Sequence, residues 1–586
     1  MTWNIVTDPL KSLPLSAFMA AIPIMYLFWA LAWKRMKGHW AAISAVSIAV
    51  IISIVGYGMP AKLALLATFN GMLFGLWPVA WIVVTAVFMY NLSVRTGQFE
   101  IIKNSLASIT DDRRMQALLI AFSFGAFIEG AAGFGTPVAI TAAMLVGLGF
   151  NPLYAAGLCL LANTAPVAYG AIGIPIIVAG SVSGIDQMAI SQLVGRTLPF
   201  LSVIIPLYVV ILMSGWKKGW EVWPAALVSG GSFAVSQFLV SNYVGPMLPD
   251  IISALVSIVC LTVFLRYWHP KQSWRFADEC AGTGCEKLRF TGGQVFRAWA
   301  PFLILSIMVA AWGVKPIKEI LDQYTTFKFS ISGLDNLVIR GGKPMAAVFS
   351  WNLFSAAGTA ILLAGIFSVP LMGGGAALAA NVFGQTIKTL RWPIVSISSI
   401  LGFAYIMNFS GMATTLGNAF AATGHFFVFF SPFLGWLGVF MTGSDTSSNA
   451  LFGKLQEVTA NSIGVDPVIT VSANTSGGVC GKMISPQSLS VATAAVGLVG
   501  KESDIFRFTL KHSIILTTVI AILANIQAYL LPWIIPAYSK QAAVVTAAAA
   551  KAAGSGGVTA LIITVALVLV VMAIALAKGR TAIQTT

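Results

Sequence analysis

One acidic residue, Glu129, lies inside an otherwise apolar and glycine-rich stretch, residues 122–137. The stretch surrounds Glu129 with residues that loosen a helix: Gly130, Gly133, Gly135 and Pro137. At membrane depth an ionised carboxylate costs about 2.5–3.5 kcal/mol, and backbone groups freed from a helix cannot turn to water. We interpret the stretch as a broken or re-entrant helix that carries an ionisable group at a transport site. The structural alternative is a glycine-rich surface for helix packing.

A second acid, Asp445, lies in a comparable stretch of the second half, beside Gly443 and Ser444. A proton-coupled carrier needs a group that binds a proton on one side and releases it on the other, and a desolvated carboxylate suits this role. Polar neighbours of Glu129 in the sequence are few, Ser123 and Thr136, whereas Asp445 has many hydroxyl neighbours that would solvate its charged form. We therefore predict Glu129 as the proton-coupling residue and Asp445 as the next candidate, with a structural or cation-binding role as its alternative.

An Asn-Thr pair follows each of these acids, at residues 163–164 and 474–475. Asn and Thr offer hydrogen-bond donors, and the N-terminus of a broken helix adds free N–H groups and about half a positive charge, which suits a carboxylate. Lys482 is predicted to pair with a substrate carboxylate or with Asp445; the alternative is a lysine that extends to the membrane interface. The predicted substrate-binding residues are Asn163, Thr164, Tyr169, Asn474, Thr475, Ser476, Lys482 and Ser485.

The composition places these residues in a membrane protein. Of 586 residues, 58% are hydrophobic and only 9% are charged, whereas a soluble domain has about 25% charged residues. Apolar segments of span length recur along the chain, so we predict an all-α polytopic membrane protein with about 13–14 transmembrane or half helices. Its net charge of +15 comes from basic residues between the spans, which indicates cytoplasmic loops rather than a nucleic-acid surface.

Paired interruptions at corresponding places in the two halves predict two inverted repeats around a central site. The predicted organisation is a first transmembrane half, residues 1–266, with a re-entrant region at 116–150 and a broken helix at 153–181; a cytoplasmic loop at 267–296; a second half at 297–535 with broken regions at 431–500; a linker at 536–557; and an extra C-terminal transmembrane helix at 558–586. In the second half we predict spans at 345–369 and 412–430, with a polar connection reaching about residue 391. Loop charges place the N-terminus in the periplasm and the C-terminus in the cytoplasm.

Enzymatic and ATP-driven functions lack support in the sequence. It has no Walker loop, no Cys/His metal set and no nucleophile elbow. We therefore expect no enzymatic activity, no cofactor and no metal. Cys280 and Cys285 share a polar loop at a spacing that is weak for zinc, so free thiols are the favoured interpretation.

The chain resembles the lactate permeases, bacterial proton-coupled carriers of lactate and related 2-hydroxy acids such as glycolate. The resemblance is carried by seven blocks, at residues 75–81, 125–137, 163–175, 430–436, 442–451, 474–488 and 497–504. It implies lactate uptake across the cytoplasmic (inner) membrane and kinship with transporters built from two inverted halves with re-entrant hairpins. The C-terminal extension departs from the family pattern.

From these observations we predict a secondary active transporter that takes up lactate, and glycolate or related short 2-hydroxy monocarboxylates, by proton symport and alternating access. Its partners are this small substrate, protons and the lipid bilayer, with no nucleic acid; the sequence leaves the oligomeric state open. The alternatives are a sodium-coupled carrier of another small organic anion and a passive anion channel. Counterflow separates a carrier from a channel, because only a carrier is accelerated by substrate on the opposite side.

Overall fold

The computed structural model describes residues 2–34, 36–133, 135–276 and 290–538. Three predicted segments lie outside these residues. They are the centre of the cytoplasmic loop with Cys280 and Cys285, most of the linker, and the extra C-terminal helix at 558–586.

Helices dominate the described residues and confirm the predicted all-α membrane architecture. Ten of them are long and apolar enough to cross a membrane, and one further pair forms a span bent by 65°. Apolar side chains line a core between the helices and also cover the outer faces, as expected where lipid replaces water.

The described residues of the first half form fourteen α-helices. They are α1 (Leu13–Phe28), α2 (Gly38–Val55), α3 (Ala61–Phe74), α4 (Trp81–Arg95), α5 (Gln98–Ala107), α6 (Arg113–Gln116), α7 (Gly125–Ala131), α8 (Thr136–Gly147), α9 (Pro152–Ala162), α10 (Gly170–Ser183), α11 (Gln187–Val194), α12 (Leu198–Trp220), α13 (Trp223–Tyr243) and α14 (Pro249–Tyr267). Several begin with proline in the first turn, where its missing N–H leaves no hydrogen bond unmade. A π-helical segment, Ala117–Phe124, leads into α7.

The second half has ten helices among the described residues. They are α15 (Gly292–Gly313), α16 (Lys315–Thr325), α17 (Ala357–Leu371), α18 (Ala376–Ser410), α19 (Met412–Ala421), α20 (Phe427–Thr442), α21 (Asp445–Ser462), α22 (Pro467–Lys482), α23 (Pro486–Ala495) and α24 (Glu502–Asn525).

Two small sheets were not predicted. Four of their five strands lie in the connection between α16 and α17, and the fifth lies near the N-terminus. Their strands are β1 (Trp3–Asn4), β2 (Thr326–Ser330), β3 (Val338–Arg340), β4 (Lys343–Pro344) and β5 (Val348–Asn352). The first sheet has the order β1-β3-β4, with β1 parallel to β3, so it ties the N-terminal segment to this connection. In the second sheet β2 and β5 are antiparallel, with Thr326 opposite Asn352.

Three predicted boundaries in the second half are wrong. The span at 345–369 begins only at Ala357, because residues 348–352 pair with β2 instead of forming helix. The polar connection near 391 is helical from Ala376 onward, since its Gln, Lys and Arg residues are compatible with a helix. The span at 412–430 is interrupted at Gly424, whose φ of +58° is a left-handed conformation that suits glycine.

The helices that surround the centre are broken, and the breaks fall inside the predicted intervals 116–150, 153–181 and 431–500. Glycines with positive φ form two of them, Gly133 and Gly135 between α7 and α8 and Gly443 between α20 and α21. Residues 163–166 separate α9 from the turn that precedes α10, and residues 483–485 separate α22 from α23. The inverted relation of the two halves stays a prediction.

Glycines also allow α20 and α22 to lie very close together. A Cβ on Gly435 would come within 1.8 Å of the Asn474 carbonyl oxygen, and one on Gly477 within 2.1 Å of the Pro432 carbonyl oxygen. Only glycine fits at such a crossing. This contact places the end of α22 against the break that precedes α21.

Candidate functional site

A buried ion pair between the two halves lies at the centre of the candidate site. The Lys482 Nζ donates to Glu129 Oε1 at 2.5 Å, and the two side chains are only 8% and 4% exposed. Glu129 lies in the last turn of α7, and Lys482 is the last residue of α22, where a cation interacts favourably with the helix dipole. Gly170 leaves room for the pair, since a Cβ there would come within 2.5 Å of Glu129 Oε1.

This pairing differs from the predicted pairing of Lys482 with Asp445. Lys482 contacts Glu129, not Asp445, in this conformation. Ser123 turns away from Glu129 and shares hydrogen bonds with Ser229 and Ser257 at 3.3 and 2.8 Å. The partners of Glu129 therefore come from distant helices, which its sequence neighbours could not indicate.

The first predicted Asn-Thr pair lies at the same place. The Asn163 Nδ2 donates to Glu129 Oε2 at 3.1 Å. Its Oδ1 and the hydroxyl of Thr164 are buried without a hydrogen-bond partner. A buried polar atom without a partner is unfavourable by about 1–3 kcal/mol, so these two atoms are suited to receive a polar ligand.

Asp445 begins α21 and is 3% exposed. By the geometric criteria for a hydrogen bond, neither carboxyl oxygen has a partner among the described residues. The expectation that its hydroxyl neighbours solvate the carboxylate is wrong. Ser448 donates to the Gly435 carbonyl and Thr442 to the Gly438 carbonyl.

Asp250 is a third buried acid, which the sequence analysis missed. It lies in the first turn of α14, is 1% exposed, and has no hydrogen-bond partner on either carboxyl oxygen. It packs against α7, because a Cβ on Gly130 would come within 2.7 Å of the Asp250 Cβ. The sequence signal for Asp250 was a single acid at the start of a predicted span. An ordinary acid at the membrane interface has the same position, so this signal did not distinguish Asp250.

The three acids and Lys482 interact electrostatically. Asp250 lies against Gly130, the residue after Glu129, and Asp445 lies against Gly478, one turn before Lys482. With all four groups ionised the cluster would carry three negative charges and one positive charge. A buried ion without a partner costs several kcal/mol. The Glu129–Lys482 pair balances its own charge, whereas the carboxyl oxygens of Asp250 and Asp445 have no hydrogen-bond partner among the described residues.

The second predicted Asn-Thr pair is held in a hydrogen-bond network, and sequence reasoning missed the residues that hold it. Asn449 Oδ1 accepts from Asn474 Nδ2 at 2.9 Å and from Thr475 Oγ1 at 3.0 Å. Gln456 Nε2 donates to Asn474 Oδ1 at 3.1 Å, and Asn449 Nδ2 donates to the Pro175 carbonyl at 3.2 Å. The network joins α10, α21 and α22, which indicates a positioning role in this conformation.

The other predicted substrate-binding residues are in different situations. The Tyr169 hydroxyl donates to the Ser191 carbonyl at 2.7 Å. Ser485 caps α23, accepting from the Ser488 N–H at 3.2 Å, and donates to the Lys482 carbonyl at 3.1 Å. The Ser476 hydroxyl is buried without a partner and so remains able to bind a ligand.

The predicted hairpin residues shape the two breaks. Gly135, with φ of +82°, precedes α8, and Pro137 lies in the first turn of that helix. Gly443 ends α20 with φ of +72°, and the Ser444 hydroxyl accepts from the Ser447 N–H at 3.3 Å to cap α21. Within the described part of the chain, no group of three or more His, Cys, Asp or Glu side chains is arranged to hold a metal ion.

Comparison with solved structures gives a remote likeness. The Neisseria gonorrhoeae protein MtrF, described as illuminating a class of antimetabolite efflux pumps, aligns with a TM-score of 0.47 and 13% identity. The alignment covers 84% of this chain and 95% of that one. A score at this level does not establish a shared fold.

Comparison with protein sequences gives a close and extensive likeness. The L-lactate permease of Bacillus subtilis is 53% identical over 92% of this chain and 100% of its own length. The glycolate permease GlcA of Escherichia coli is 53% identical over 90% of this chain and 98% of its own. The family model for L-lactate permease matches residues 16–531, which include every residue of the candidate site. The chain therefore belongs to the L-lactate permease family.

Proposed function

We propose that this protein takes up lactate, and glycolate or a related short 2-hydroxy acid, by proton symport across the cytoplasmic membrane. The observation that carries the proposal is the buried Glu129–Lys482 pair within a chain 53% identical to an L-lactate permease and to a glycolate permease. A carboxylate substrate needs a cation inside the membrane, and Lys482 is the cation at this site.

An exchange of partners at Lys482 would couple the proton to the anion. While Glu129 is ionised it pairs with Lys482. A substrate carboxylate then meets a site whose one positive charge is already balanced. When Glu129 binds a proton, Lys482 becomes available to the substrate carboxylate. The loaded site then holds neutral Glu129, Lys482 and one anion, and the empty site holds ionised Glu129 and Lys482. Each has a net charge of zero, which favours reorientation through a low-dielectric barrier.

The unpartnered atoms beside the pair suit the rest of a 2-hydroxy acid. The Thr164 hydroxyl is available to donate to the carboxylate, and Asn163 Oδ1 is available to accept from the substrate hydroxyl. Asn163 Nδ2 donates to Glu129 Oε2 in this structure. It would donate to the substrate carboxylate if that carboxylate takes the place of the Glu129 carboxylate. Asp445 remains the second candidate for proton coupling, on the Lys482 side of the cluster.

Transport assays on the purified protein in proteoliposomes test the proposal. An inward proton gradient should drive labelled lactate and glycolate above their external concentration, while a sodium gradient alone should not. Internal unlabelled lactate should accelerate entry of labelled lactate. Accumulation driven by sodium and not by protons would support the sodium-coupled alternative, and entry without counterflow would support a channel.

A further inference from the structure

The mechanism proposed above leaves one buried acid without a role. Asp250 is 1% exposed, accepts no hydrogen bond on either oxygen, and lies beside Gly130, the residue after Glu129. A buried carboxyl group normally has partners, because each unsatisfied polar atom is unfavourable. Its presence at this contact therefore calls for a functional explanation.

We propose that Asp250 is a proton relay, through which Glu129 receives and releases the coupled proton. This inference rests on the proposed proton symport. The position of Asp250 is distinct from that of Asp445, since Asp250 lies beside Gly130 of α7 and Asp445 lies beside Gly478 of α22.

The transfer conserves charge and breaks one O–H bond for each one it forms. Neutral Asp250 gives its proton to the Glu129 carboxylate, directly or through one water molecule, and becomes a carboxylate. Glu129 becomes neutral and leaves Lys482 to the substrate. A proton from the open side of the carrier then restores the acid.

Hydroxyl groups on α14 mark the direction in which the relay continues. Ser253 is one turn from Asp250 on the same helix and is buried without a hydrogen-bond partner. Ser257 follows one turn later, and its hydroxyl lies 2.8 Å from that of Ser123 and 3.2 Å from that of Ser229. Residues at this spacing share one helix face. This face therefore presents a line of groups that can carry a proton to or from Asp250.

Three titratable groups on neighbouring elements interact electrostatically with Asp250. They are Glu129 of α7, Lys482 of α22 and Tyr169 of the turn before α10. The Tyr169 hydroxyl is engaged with the Ser191 carbonyl. Glu129 is therefore the proton acceptor with which Asp250 can exchange.

The test compares two transport modes of Asp250→Asn in proteoliposomes. Net uphill uptake requires Glu129 to lose its proton in every cycle, whereas exchange of labelled for unlabelled lactate does not. Net uptake should fall by roughly a hundredfold, the lower end of what a positioned proton-transfer group contributes. Exchange and the apparent KM for lactate should be unchanged. Acidification of the liposome interior after external lactate is added, followed with an internal pH-sensitive dye, should slow to the same degree.

Thr262→Val is the matched control. Thr262 lies on the same helix, and its buried hydroxyl also lacks a hydrogen-bond partner. It is twelve residues from Asp250, or about 18 Å along the helix axis. This variant should retain both transport modes. Asp250→Glu, which keeps the acid, should retain uphill uptake with an altered pH profile.

Each of the following outcomes would overturn the relay. If the wild-type protein shows no proton-driven uptake, the proposed function fails and the relay with it. If the wild type is proton-driven and Asp250→Asn accumulates lactate equally fast, only the relay is overturned. Loss of exchange together with net uptake in folded Asp250→Asn would assign a structural role and also overturn the relay. Should Asp250→Asn not fold, an unchanged pH profile in Asp250→Glu would do the same.

Discussion

Glu129 Oε1 and Lys482 Nζ lie 2.5 Å apart although 353 residues separate them in the chain. The pair joins α7 of the first half to the end of α22 in the second, away from water. Breaking a buried pair by removing one partner is destabilising by about 3–5 kcal/mol, since it leaves an uncompensated charge. The pair thus links the two halves, and in the proposed mechanism it separates when Glu129 binds a proton and the substrate anion binds Lys482.

Glu129→Gln should separate exchange from accumulation. Glutamine resembles the protonated acid and leaves Lys482 free for the substrate carboxylate, so the variant should bind lactate and exchange it across the membrane. It should lose uphill accumulation under a proton gradient, because it has no proton to release. Counterflow and gradient-driven uptake in the same proteoliposomes measure the two activities. Uphill uptake equal to that of the wild type would exclude Glu129 as the coupling residue and direct attention to Asp445.

Asn163→Ala and Asn474→Ala should differ in what they change. Asn163 contacts Glu129 and has a free amide oxygen, so its loss should raise the apparent KM for lactate. Loss of one hydrogen bond to a charged group is worth about 1.5–3 kcal/mol, or roughly a ten- to hundredfold rise. Asn474 bonds to Asn449 and Gln456, so its loss should mainly lower the thermal stability of the detergent-solubilised protein. An unchanged KM in Asn163→Ala would place the substrate elsewhere.

Gly478→Ala should abolish transport by displacing Asp445. A Cβ at this position would come within 2.1 Å of Asp445 Oδ1, closer than any stable contact, so the Asp445 carboxyl group must move. Gly384→Ala is the control, since a Cβ at that helical position of α18 meets no atom within 4 Å. Lactate uptake, normalised to the amount of inserted protein, measures the effect. Full activity in Gly478→Ala would show that the position of Asp445 does not matter for transport.

The predicted orientation can be tested with single cysteines in a cysteine-free background. Positions 36 and 105 are expected in the cytoplasm, and positions 243 and 330 outside, where Tyr243 and Ser330 are exposed. An impermeant thiol reagent added to intact cells should label Tyr243→Cys and Ser330→Cys, and should reach Met36→Cys and Ser105→Cys only after the membrane is permeabilised. Labelling of the variants at 36 or 105 in intact cells would invert the topology.

Composition and pattern were sufficient for the broad architecture. Long hydrophobic segments lie in lipid whatever the details of the fold, because the free-energy cost of exposing them to water does not depend on which segments they pack against. The same reasoning singled out Glu129, since an acid among apolar and glycine residues is unusual in any fold. It failed at 345–369, where apolar residues form strand β5 because β2 is available to pair with them.

The tertiary structure decided which charges meet. Lys482 contacts Glu129 instead of Asp445, Asn163 turns towards the ion pair while Asn474 turns into a network with Asn449, and Asp250 enters the centre from α14. No periodicity or spacing encodes these relations, because they depend on where broken helices from distant parts of the chain come to lie. A single aspartate at the start of a span has the same local sequence whether it faces water or another acid. Only the packing of α7 against α14, with Gly130 in contact with Asp250, makes it part of the site.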